Sequence, residues 1–218
     1  MKDTNLKVHS IFYSIQGEGP LSGVPSVFLR LSGCNLKCVF CDSTEALKKG
    51  KTMEIKEVIH HILSLKHKAS NLVITGGEPL LQKESLSVLL YKIKKAFSTI
   101  EVETNGTISP ISFTWVRYNV SPKTGNSGMS VLQVYKPETL KEFLPFDSIY
   151  KFVVSEEEDL KEILEIVNNL SIPLHRVYLM PMASNPQELK IRAPEVVRLS
   201  LKYGFRYSDR LHLRLHIS

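Results

Sequence analysis

Three cysteines within eight residues form the part of the sequence best suited to metal chemistry. Cys34, Cys38 and Cys41 are the only cysteines of the chain and follow a C-x-x-x-C-x-x-C pattern. Thiolates are soft ligands, so three of them on one short loop can converge on a metal centre. A structural zinc ion takes four protein ligands, and an iron–sulfur cluster normally takes four cysteines. Because a fourth cysteine is lacking, the pattern predicts a metal centre with one open position.

Other interpretations of this triplet remain open when it is considered alone. The cysteines could be three incidental thiols, or they could bind zinc that is completed by a histidine such as His9 or His175. An odd number of cysteines on so short a loop cannot build a disulfide framework for the whole chain. The cysteines therefore predict a reducing compartment, which makes the cytoplasm the expected location.

A glycine pair in Thr75-Gly76-Gly77-Glu78-Pro79 is the second candidate for chemistry. Glycines lack a Cβ atom, so they let the backbone approach a ligand closely and adopt conformations that other residues avoid. The segment could equally be an ordinary turn. Its position directly after a predicted strand favours a binding role, because ligands of parallel sheets bind at the carboxyl ends of the strands.

Alternating strands and helices are predicted to position both segments. β-branched and aromatic residues indicate strands, and two amphipathic stretches indicate helices. The predicted strands are 26–31, 71–75, 99–103, 117–120, 149–154 and 177–180; one helical face contains Ile55, Val58, Ile59, Ile62 and Leu63, and the other contains Leu160, Ile163, Leu164 and Val167.

This alternation predicts an α/β fold with a mostly parallel sheet and right-handed crossovers. About six strands are too few for the eight of a closed barrel, so we expect a partial, open barrel covered by helices. The length of 218 residues favours one domain over 1–218. Residues 211–217 alternate with a period of two and predict an additional edge strand.

Composition and charge limit the partners. The net charge of +6 comes from lysines and arginines scattered along the chain, without a basic tract or aromatic ladder, so nucleic acid is not expected as a partner. The sequence contains no apolar stretch long enough to cross a bilayer, and Met1-Lys2-Asp3-Thr4-Asn5 does not resemble a secretory signal. We therefore expect neither membrane insertion nor export.

Two upstream segments give the cysteine loop a family resemblance. Ser14-Ile15-Gln16-Gly17-Glu18-Gly19 and Gly23-Val24-Pro25 precede the strand that ends in Arg30-Leu31-Ser32-Gly33-Cys34. Together with the cysteine pattern and the Gly-Gly-Glu-Pro segment, the sequence resembles the 7-carboxy-7-deazaguanine synthase family of radical S-adenosylmethionine enzymes. The resemblance extends from about Phe12 to Lys123 and is sparse beyond it.

The resemblance implies a site. Cys34, Cys38 and Cys41 would hold a [4Fe–4S] cluster, and the hydroxyl of Ser43, where the family usually has threonine, would ligate Mg²⁺. The residues implied for S-adenosylmethionine are Phe40, Cys41, Asp42, Gly77, Glu78, Ser121, Pro122 and Lys123; those implied for the substrate are Ile15, Gln16, Gly17, Arg30 and Thr75.

The resemblance also implies the reaction. Reductive cleavage of S-adenosylmethionine would give a 5′-deoxyadenosyl radical, which takes hydrogen from C6 of 6-carboxy-5,6,7,8-tetrahydropterin. Ring contraction and loss of ammonia would give 7-carboxy-7-deazaguanine, a precursor of queuosine. The implied partners are an electron donor such as flavodoxin and a second copy of the chain in a homodimer. Two alternatives are a glycyl-radical enzyme activase and a noncatalytic zinc or iron–sulfur protein.

Overall fold

A nine-stranded sheet forms the centre of the part of the chain that the structure describes. The structure is a computed structural model and describes residues 5–47 and 50–217. Residues 1–4, which belong to the segment compared above with a secretory signal, and Ser218 lie outside the described residues.

The sheet is mixed, and most of it is parallel. Its strands are β1 (Asn5–Ile15), β2 (Pro25–Leu31), β3 (Lys51–Glu54), β4 (Asn71–Gly76), β5 (Thr99–Thr104), β6 (Arg117–Val120), β7 (Ser148–Val154), β8 (Val177–Pro181) and β9 (Arg206–Tyr207). The spatial order is β3-β1-β2-β4-β5-β6-β7-β8-β9. From β2 onwards every neighbouring pair is parallel, whereas β1 pairs antiparallel with β2 and β3. The open, mostly parallel barrel predicted from the sequence is confirmed.

Seven α-helices connect or cover the strands within the described residues. They are α1 (Ile55–Ser64), α2 (Lys83–Ile93), α3 (Val131–Val134), α4 (Pro137–Lys141), α5 (Asp159–Leu170), α6 (Pro186–Tyr203) and α7 (Leu211–Leu215). Both predicted apolar faces pack against the core, with Val58, Ile62 and Ile163 fully buried. Leu63 is an exception, because its side chain is 45% exposed.

The amino-terminal strands were not predicted. β1 pairs over most of its length with β2, and its first residues pair with β3. Leu6 and Val8 of β1 are buried, but the residues after them are mostly half-exposed because that part of the strand borders a cavity. A strand with a polar, accessible face lacks the strong apolar pattern by which the other strands are recognised.

The predicted carboxyl-terminal edge strand is wrong. Residues Leu211–Leu215 form the short helix α7, and the sheet ends at β9. The Leu211 amide donates to the Gly17 carbonyl at 2.9 Å, so this segment folds back over the loop after β1. Polar contacts to that loop, described below, replace strand pairing.

Among residues 5–47 and 50–217, no helix has both the length and the apolar composition needed to cross a membrane.

Candidate active site

A cavity of about 690 Å³ opens at the carboxyl ends of the parallel strands. Its volume lies in the range of ligand pockets, roughly 300–1,000 Å³. Fourteen of the residues implied by the resemblance line it: Ile15, Gln16, Gly17, Arg30, Cys34, Cys38, Phe40, Cys41, Asp42, Ser43, Thr75, Gly77, Ser121 and Lys123. The structure therefore brings together segments that are more than 100 residues apart in the chain.

Two implied residues, Glu78 and Pro122, are buried and are not part of the cavity lining. Glu78 is fully buried directly behind the glycine pair. Its carboxylate accepts hydrogen bonds from the Leu80 amide at 3.0 Å, the Asn105 amide at 2.7 Å and the Thr104 hydroxyl at 2.9 Å. The carboxylate thus ties the loop after β4 to the loop after β5.

The cysteine loop follows β2, and all three thiols are free and partly accessible. The Leu36 amide donates to Cys34 Sγ at 3.4 Å, and Asn105 Nδ2 lies 3.9 Å from the same sulfur. Asn105 belongs to a segment of the sequence to which we assigned no role. The structure places it where it can orient the first cysteine of the loop.

A half-buried lysine, Lys123, acts on the thiols of the loop. Burial raises the pKa of Cys34 and of Cys38, and the Lys123 ammonium acts in the opposite direction on both. Lys123 Nζ is held at 2.8 Å from both the carbonyl and the hydroxyl of Ser121. Because a thiol loses its proton when it binds a metal, the fixed cation favours the ligating form of these cysteines.

The donor set fits an iron–sulfur cluster. Within the described part of the chain, no group of three His, Cys, Asp or Glu side chains converges to hold a single metal ion. A [4Fe–4S] cluster does not require such convergence, because each cysteine binds a different iron atom. Cys34, Cys38 and Cys41, which face one cavity, would hold such a cluster and would leave one iron available to an external ligand.

The glycine pair lies against the base of the cysteine loop. A Cβ atom on Gly77 would lie 2.2 Å from the Gly33 carbonyl oxygen and 2.8 Å from Cys34 Cβ. A Cβ atom on Gly76, whose φ is +140°, would lie 2.0 Å from the Leu31 carbonyl oxygen. The Glu78 amide donates to the Gly33 carbonyl at 2.8 Å. Only glycine allows the two loops to approach this closely.

Arg30 and Ser43 form a polar contact on the wall formed by β2. Arg30 Nη1 donates to the Ser43 hydroxyl at 2.6 Å, and that hydroxyl donates to Asp42 Oδ1 at 3.1 Å. The Arg30 guanidinium also lies 5.7 Å from the centre of the Phe12 ring. Hydroxyl and carboxylate oxygens are suitable ligands for Mg²⁺. A Mg²⁺ ion bound to the Ser43 hydroxyl would, however, lie close to the Arg30 guanidinium, because both would contact the same oxygen atom.

The Gln16 side chain is already engaged by the protein. Its Nε2 lies 3.3 Å from both Glu101 Oε1 and Glu103 Oε1, and its Oε1 accepts from the Glu18 amide at 3.3 Å. Its backbone amide and carbonyl pair with Val24 and Gly23. Gln16 is 2% exposed. Its side chain therefore shapes the loop and presents little of itself to the cavity.

A network of charges, most of them buried, was not predicted from the sequence. Glu18 forms ion pairs with Lys151 and Arg210, and Arg210 also contacts Asp42. Burial acts to raise the pKa of Glu18, but Lys151 and Arg210 outweigh it and hold the pKa at about 2. These residues line the cavity, as does His212 of α7. A Cβ atom on Gly17 would lie 2.4 Å from His212 Nδ1, so the helix covers this glycine directly.

Comparison with known proteins decides the family. The sequence model of the Radical SAM superfamily matches residues 29–190. A protein of Hyperthermus butylicus named 7-carboxy-7-deazaguanine synthase is 34% identical over 99% of this chain and 94% of its own. A protein of Halobacterium salinarum with the same name is 36% identical over 96% of this chain and 90% of its own. The chain belongs to the 7-carboxy-7-deazaguanine synthase family.

The fold agrees with this assignment. The crystal structure of QueE from Escherichia coli superposes with a TM-score of 0.73 at 22% identity and covers 96% of each chain. As a radical SAM enzyme, the chain uses a [4Fe–4S] cluster and S-adenosylmethionine. For this family member, the cysteine loop, the glycine pair and the buried charges lie around one cavity.

Proposed function

We propose that this radical SAM enzyme converts 6-carboxy-5,6,7,8-tetrahydropterin to 7-carboxy-7-deazaguanine with loss of ammonia, in queuosine-type 7-deazapurine biosynthesis. One observation carries the proposal: the three cysteines and Arg30 line the same cavity. A cavity with a cluster on one side and a guanidinium on another can hold an anionic substrate beside a radical source. When bound, the cluster and S-adenosylmethionine supply the 5′-deoxyadenosyl radical that takes the hydrogen from C6.

The cofactor side of the cavity is assigned to the loops after β2, β4 and β6. Cys34, Cys38 and Cys41 would hold the cluster, while the backbone at Gly77 offers a surface without side chains. The residues we propose for S-adenosylmethionine are Phe40, Cys41, Asp42, Gly77, Glu78, Ser121, Pro122 and Lys123. Glu78 and Pro122 act from behind the lining, since both are buried outside it. Glu78 fixes the glycine backbone through its amide contacts.

The substrate side is assigned to the end of β1 with the loop after it and to the wall formed by β2 and β4. The residues we propose are Ile15, Gln16, Gly17, Arg30 and Thr75. Arg30 would pair with the substrate carboxylate, because a guanidinium binds carboxylates through two parallel hydrogen bonds. Gln16 would act mainly by positioning the loop, because its side chain is engaged with Glu101 and Glu103.

Binding of the substrate carboxylate would draw Arg30 away from Ser43. The Ser43 hydroxyl would then be free of the guanidinium and could ligate Mg²⁺, with the substrate reducing the repulsion between the two cations. We therefore propose Ser43 as the Mg²⁺ ligand and expect the metal to bind together with the substrate. A displacement of about 1 Å at a reacting centre can lower the rate roughly 10²-fold, so this clamp matters for aiming the radical.

We further propose that the enzyme works as a single domain and a homodimer in the cytoplasm. The reductant would be a flavodoxin-like electron donor. Nucleic acid and membrane are not among the proposed partners.

The test is an anaerobic reaction with defined components. The reconstituted enzyme is mixed with a reductant, S-adenosylmethionine, Mg²⁺ and the pterin, and 7-carboxy-7-deazaguanine is sought by mass spectrometry. We expect this product with the natural sequence and none with Cys38→Ala. The Ser184→Ala variant is a cavity-wall control that should still form the product, since Ser184 lines the cavity but its hydroxyl is bonded to Glu188.

Other results would redirect the assignment. Release of 5′-deoxyadenosine without the deazaguanine product would retain radical chemistry but reject the substrate. The substrate would then be sought in a protein backbone, as for a glycyl-radical enzyme activase. Colourless protein with stoichiometric zinc, instead of an oxygen-sensitive brown chromophore, would reject the cluster.

A further inference from the structure

Arg210 joins three parts of the chain that lie around the cavity. Its Nη1 donates to the Ala183 carbonyl after β8, its Nε lies 3.3 Å from Glu18 Oε1 in the loop after β1, and its Nη2 contacts Asp42 Oδ2 beside the cysteine loop. Arg210 itself directly precedes α7. Each of the three guanidinium nitrogens has a different partner, and the planar group fixes the angles between these contacts.

The guanidinium is buried, although one of its two carboxylate partners is not. The side chain of Arg210 is 6% exposed, whereas that of Asp42 is 44% exposed. Lys151, which is also buried, forms the other ion pair of Glu18, so two cations and two anions alternate in this group. A buried charge that loses a partner is strongly destabilising. The Arg210 guanidinium therefore holds both carboxylates against it and sets the distance between them.

The polar chain continues from Asp42 to the residue proposed to bind the substrate carboxylate. Asp42 Oδ1 accepts from the Ser43 hydroxyl at 3.1 Å, and that hydroxyl accepts from Arg30 Nη1 at 2.6 Å. When Arg30 turns to the substrate, as proposed above, Ser43 loses this contact. Arg210 contacts the other oxygen of Asp42, so it can hold this segment in place while Arg30 changes partner.

We propose that Arg210 is a positioning residue that fixes the substrate-side loop at Glu18 and the cofactor-side segment at Asp42 relative to each other. The inference rests on the proposed function, because it uses the division of the cavity into these two sides. Glu18 follows Gly17, and Asp42 follows Cys41, so Arg210 acts on both sides through one carboxylate each. A radical formed on one side must reach one hydrogen on the other, and a displacement of about 1 Å can slow such a step roughly 10²-fold. Arg210 thus favours hydrogen transfer from the substrate over release of 5′-deoxyadenosine alone.

The first experiment compares two arginines at the same end of the chain. Arg210→Gln removes the charge that joins the two carboxylates, and Arg214→Gln removes a more exposed charge of α7 that pairs with Asp209. The reconstituted proteins receive a reductant, S-adenosylmethionine, Mg²⁺ and the pterin, and mass spectrometry quantifies 5′-deoxyadenosine and 7-carboxy-7-deazaguanine. The deoxyadenosine released per deazaguanine formed is expected to rise at least about tenfold in R210Q, and to match the natural sequence in R214Q. A loss of stability alone would lower both products together and leave this ratio unchanged.

The second experiment needs neither cluster nor cofactor. Hydrogen–deuterium exchange of the unloaded protein is followed in peptides that cover 16–24 and 36–47. In R210Q both peptides are expected to exchange faster, because each loses its ion pair to Arg210, whereas R214Q should match the natural sequence in both. If R210Q does not fold, Arg210→Lys replaces it in both experiments. A lysine keeps the positive charge but cannot present three nitrogens in one plane, so the same changes are expected in R210K.

The outcomes separate the positioning role from the proposed function. If the natural sequence forms no 7-carboxy-7-deazaguanine, the proposed function fails, and the positioning role fails with it. If the product is formed but its ratio to deoxyadenosine is the same in R210Q, or rises equally in R210Q and R214Q, only the positioning role is overturned. Unchanged exchange of the 36–47 peptide in R210Q also overturns it, because the contact with Asp42 would then not hold that segment.

Discussion

Two buried glutamates should lose different amounts of stability on the same substitution to Gln, because Glu78 accepts hydrogen bonds from backbone N–H groups and Glu101 accepts them from side-chain amides. Glu78 Oε1 accepts from the Leu80 amide and Oε2 accepts from the Asn105 amide. In Glu78→Gln, one side-chain position becomes an NH₂ group. Whichever way the new amide turns, its NH₂ points at a backbone N–H that cannot rotate. One buried donor then loses its partner.

Glu101 has a different environment. Its Oε1 accepts from Asn71 at 2.7 Å and Gln16 at 3.3 Å, and its Oε2 accepts from Asn119 at 2.8 Å. The Oδ1 atoms of Asn71 and Asn119 are buried and have no hydrogen-bond partner among the described residues. In Glu101→Gln, Asn119 can rotate its amide by a half-turn and accept from the new NH₂ group. Its Oδ1 gains a partner and its Nδ2 loses one, so the number of unpartnered buried atoms does not rise.

The difference between the two variants can be estimated. Burial raises the pKa of both carboxyl groups, so both substitutions remove a charge that the interior disfavours, and this contribution largely cancels in the comparison. An unsatisfied buried donor costs about 1–3 kcal/mol. For a chain of this size each kcal/mol shifts Tm by about 2–4 °C. Glu78→Gln should therefore melt about 2–12 °C below Glu101→Gln.

Thermal unfolding of the two variants, followed by circular dichroism at pH 7, is the measurement. The same samples are tested for S-adenosylmethionine binding by calorimetry after reconstitution. Weaker binding is expected for Glu78→Gln alone, because Glu78 fixes the backbone behind Gly77. Equal melting temperatures, or a lower one for Glu101→Gln, would show that the distinction between backbone and side-chain donors is wrong.

Three further predictions concern the loop after β1 and the Mg²⁺ ligand. Glu18→Gln should lose about 3–5 kcal/mol of stability at neutral pH by leaving Lys151 buried and unpaired. Because the Glu18 pKa is lowered from 4.5 to about 2, the stability it contributes is present above pH 4.5 and is lost as the pH falls towards 2. Urea titrations at several pH values should show a flatter acid dependence for the variant, and parallel curves would contradict this. Gly17→Ala should displace His212 and speed tryptic cleavage of the carboxyl-terminal segment, whereas adding His212→Ala should slow it again; no rescue would mean that the two residues do not collide. Ser43→Thr should lower the Mg²⁺ concentration for half-maximal activity about two- to threefold, because β-branching restricts the hydroxyl; a higher requirement would refute that view.

The fold was largely predictable because most of its strands are buried on both faces. β7 is buried at all seven positions, so its sequence reads as a continuous apolar run apart from Lys151. β1 was not predicted because many of its residues are half-exposed and border the cavity, so its sequence lacks a continuous apolar run. A single lysine inside a buried strand was a signal that we did not use. Charged residues are seldom buried without a partner, so Lys151 predicts a buried acid nearby.

The convergence of the short sequence motifs on one cavity was also predictable, and the close approach of two of their loops has a physical basis. Gly76 lies so close to the Leu31 carbonyl, and Gly77 so close to the Gly33 carbonyl, that a Cβ atom on either glycine would collide with the carbonyl oxygen. The sequence could not indicate that Glu78 lies behind this contact, because the motif does not say on which side of the backbone the carboxylate falls. Its role as a support follows only from its hydrogen bonds to Leu80 and Asn105.

The carboxyl-terminal segment was beyond sequence reasoning for a different reason. The alternation of leucine with polar residues in 211–217 satisfies the period of a strand, but an edge strand needs a free sheet edge, and β9 already occupies that position. Ion pairs hold the carboxyl-terminal segment in place instead. Arg210 is 5% exposed and reaches Glu18 and Asp42, which come from two loops far away in the sequence. A buried arginine must find carboxylates wherever the fold provides them, so its partners can be identified only after the β1 and β2 loops have been placed beside each other.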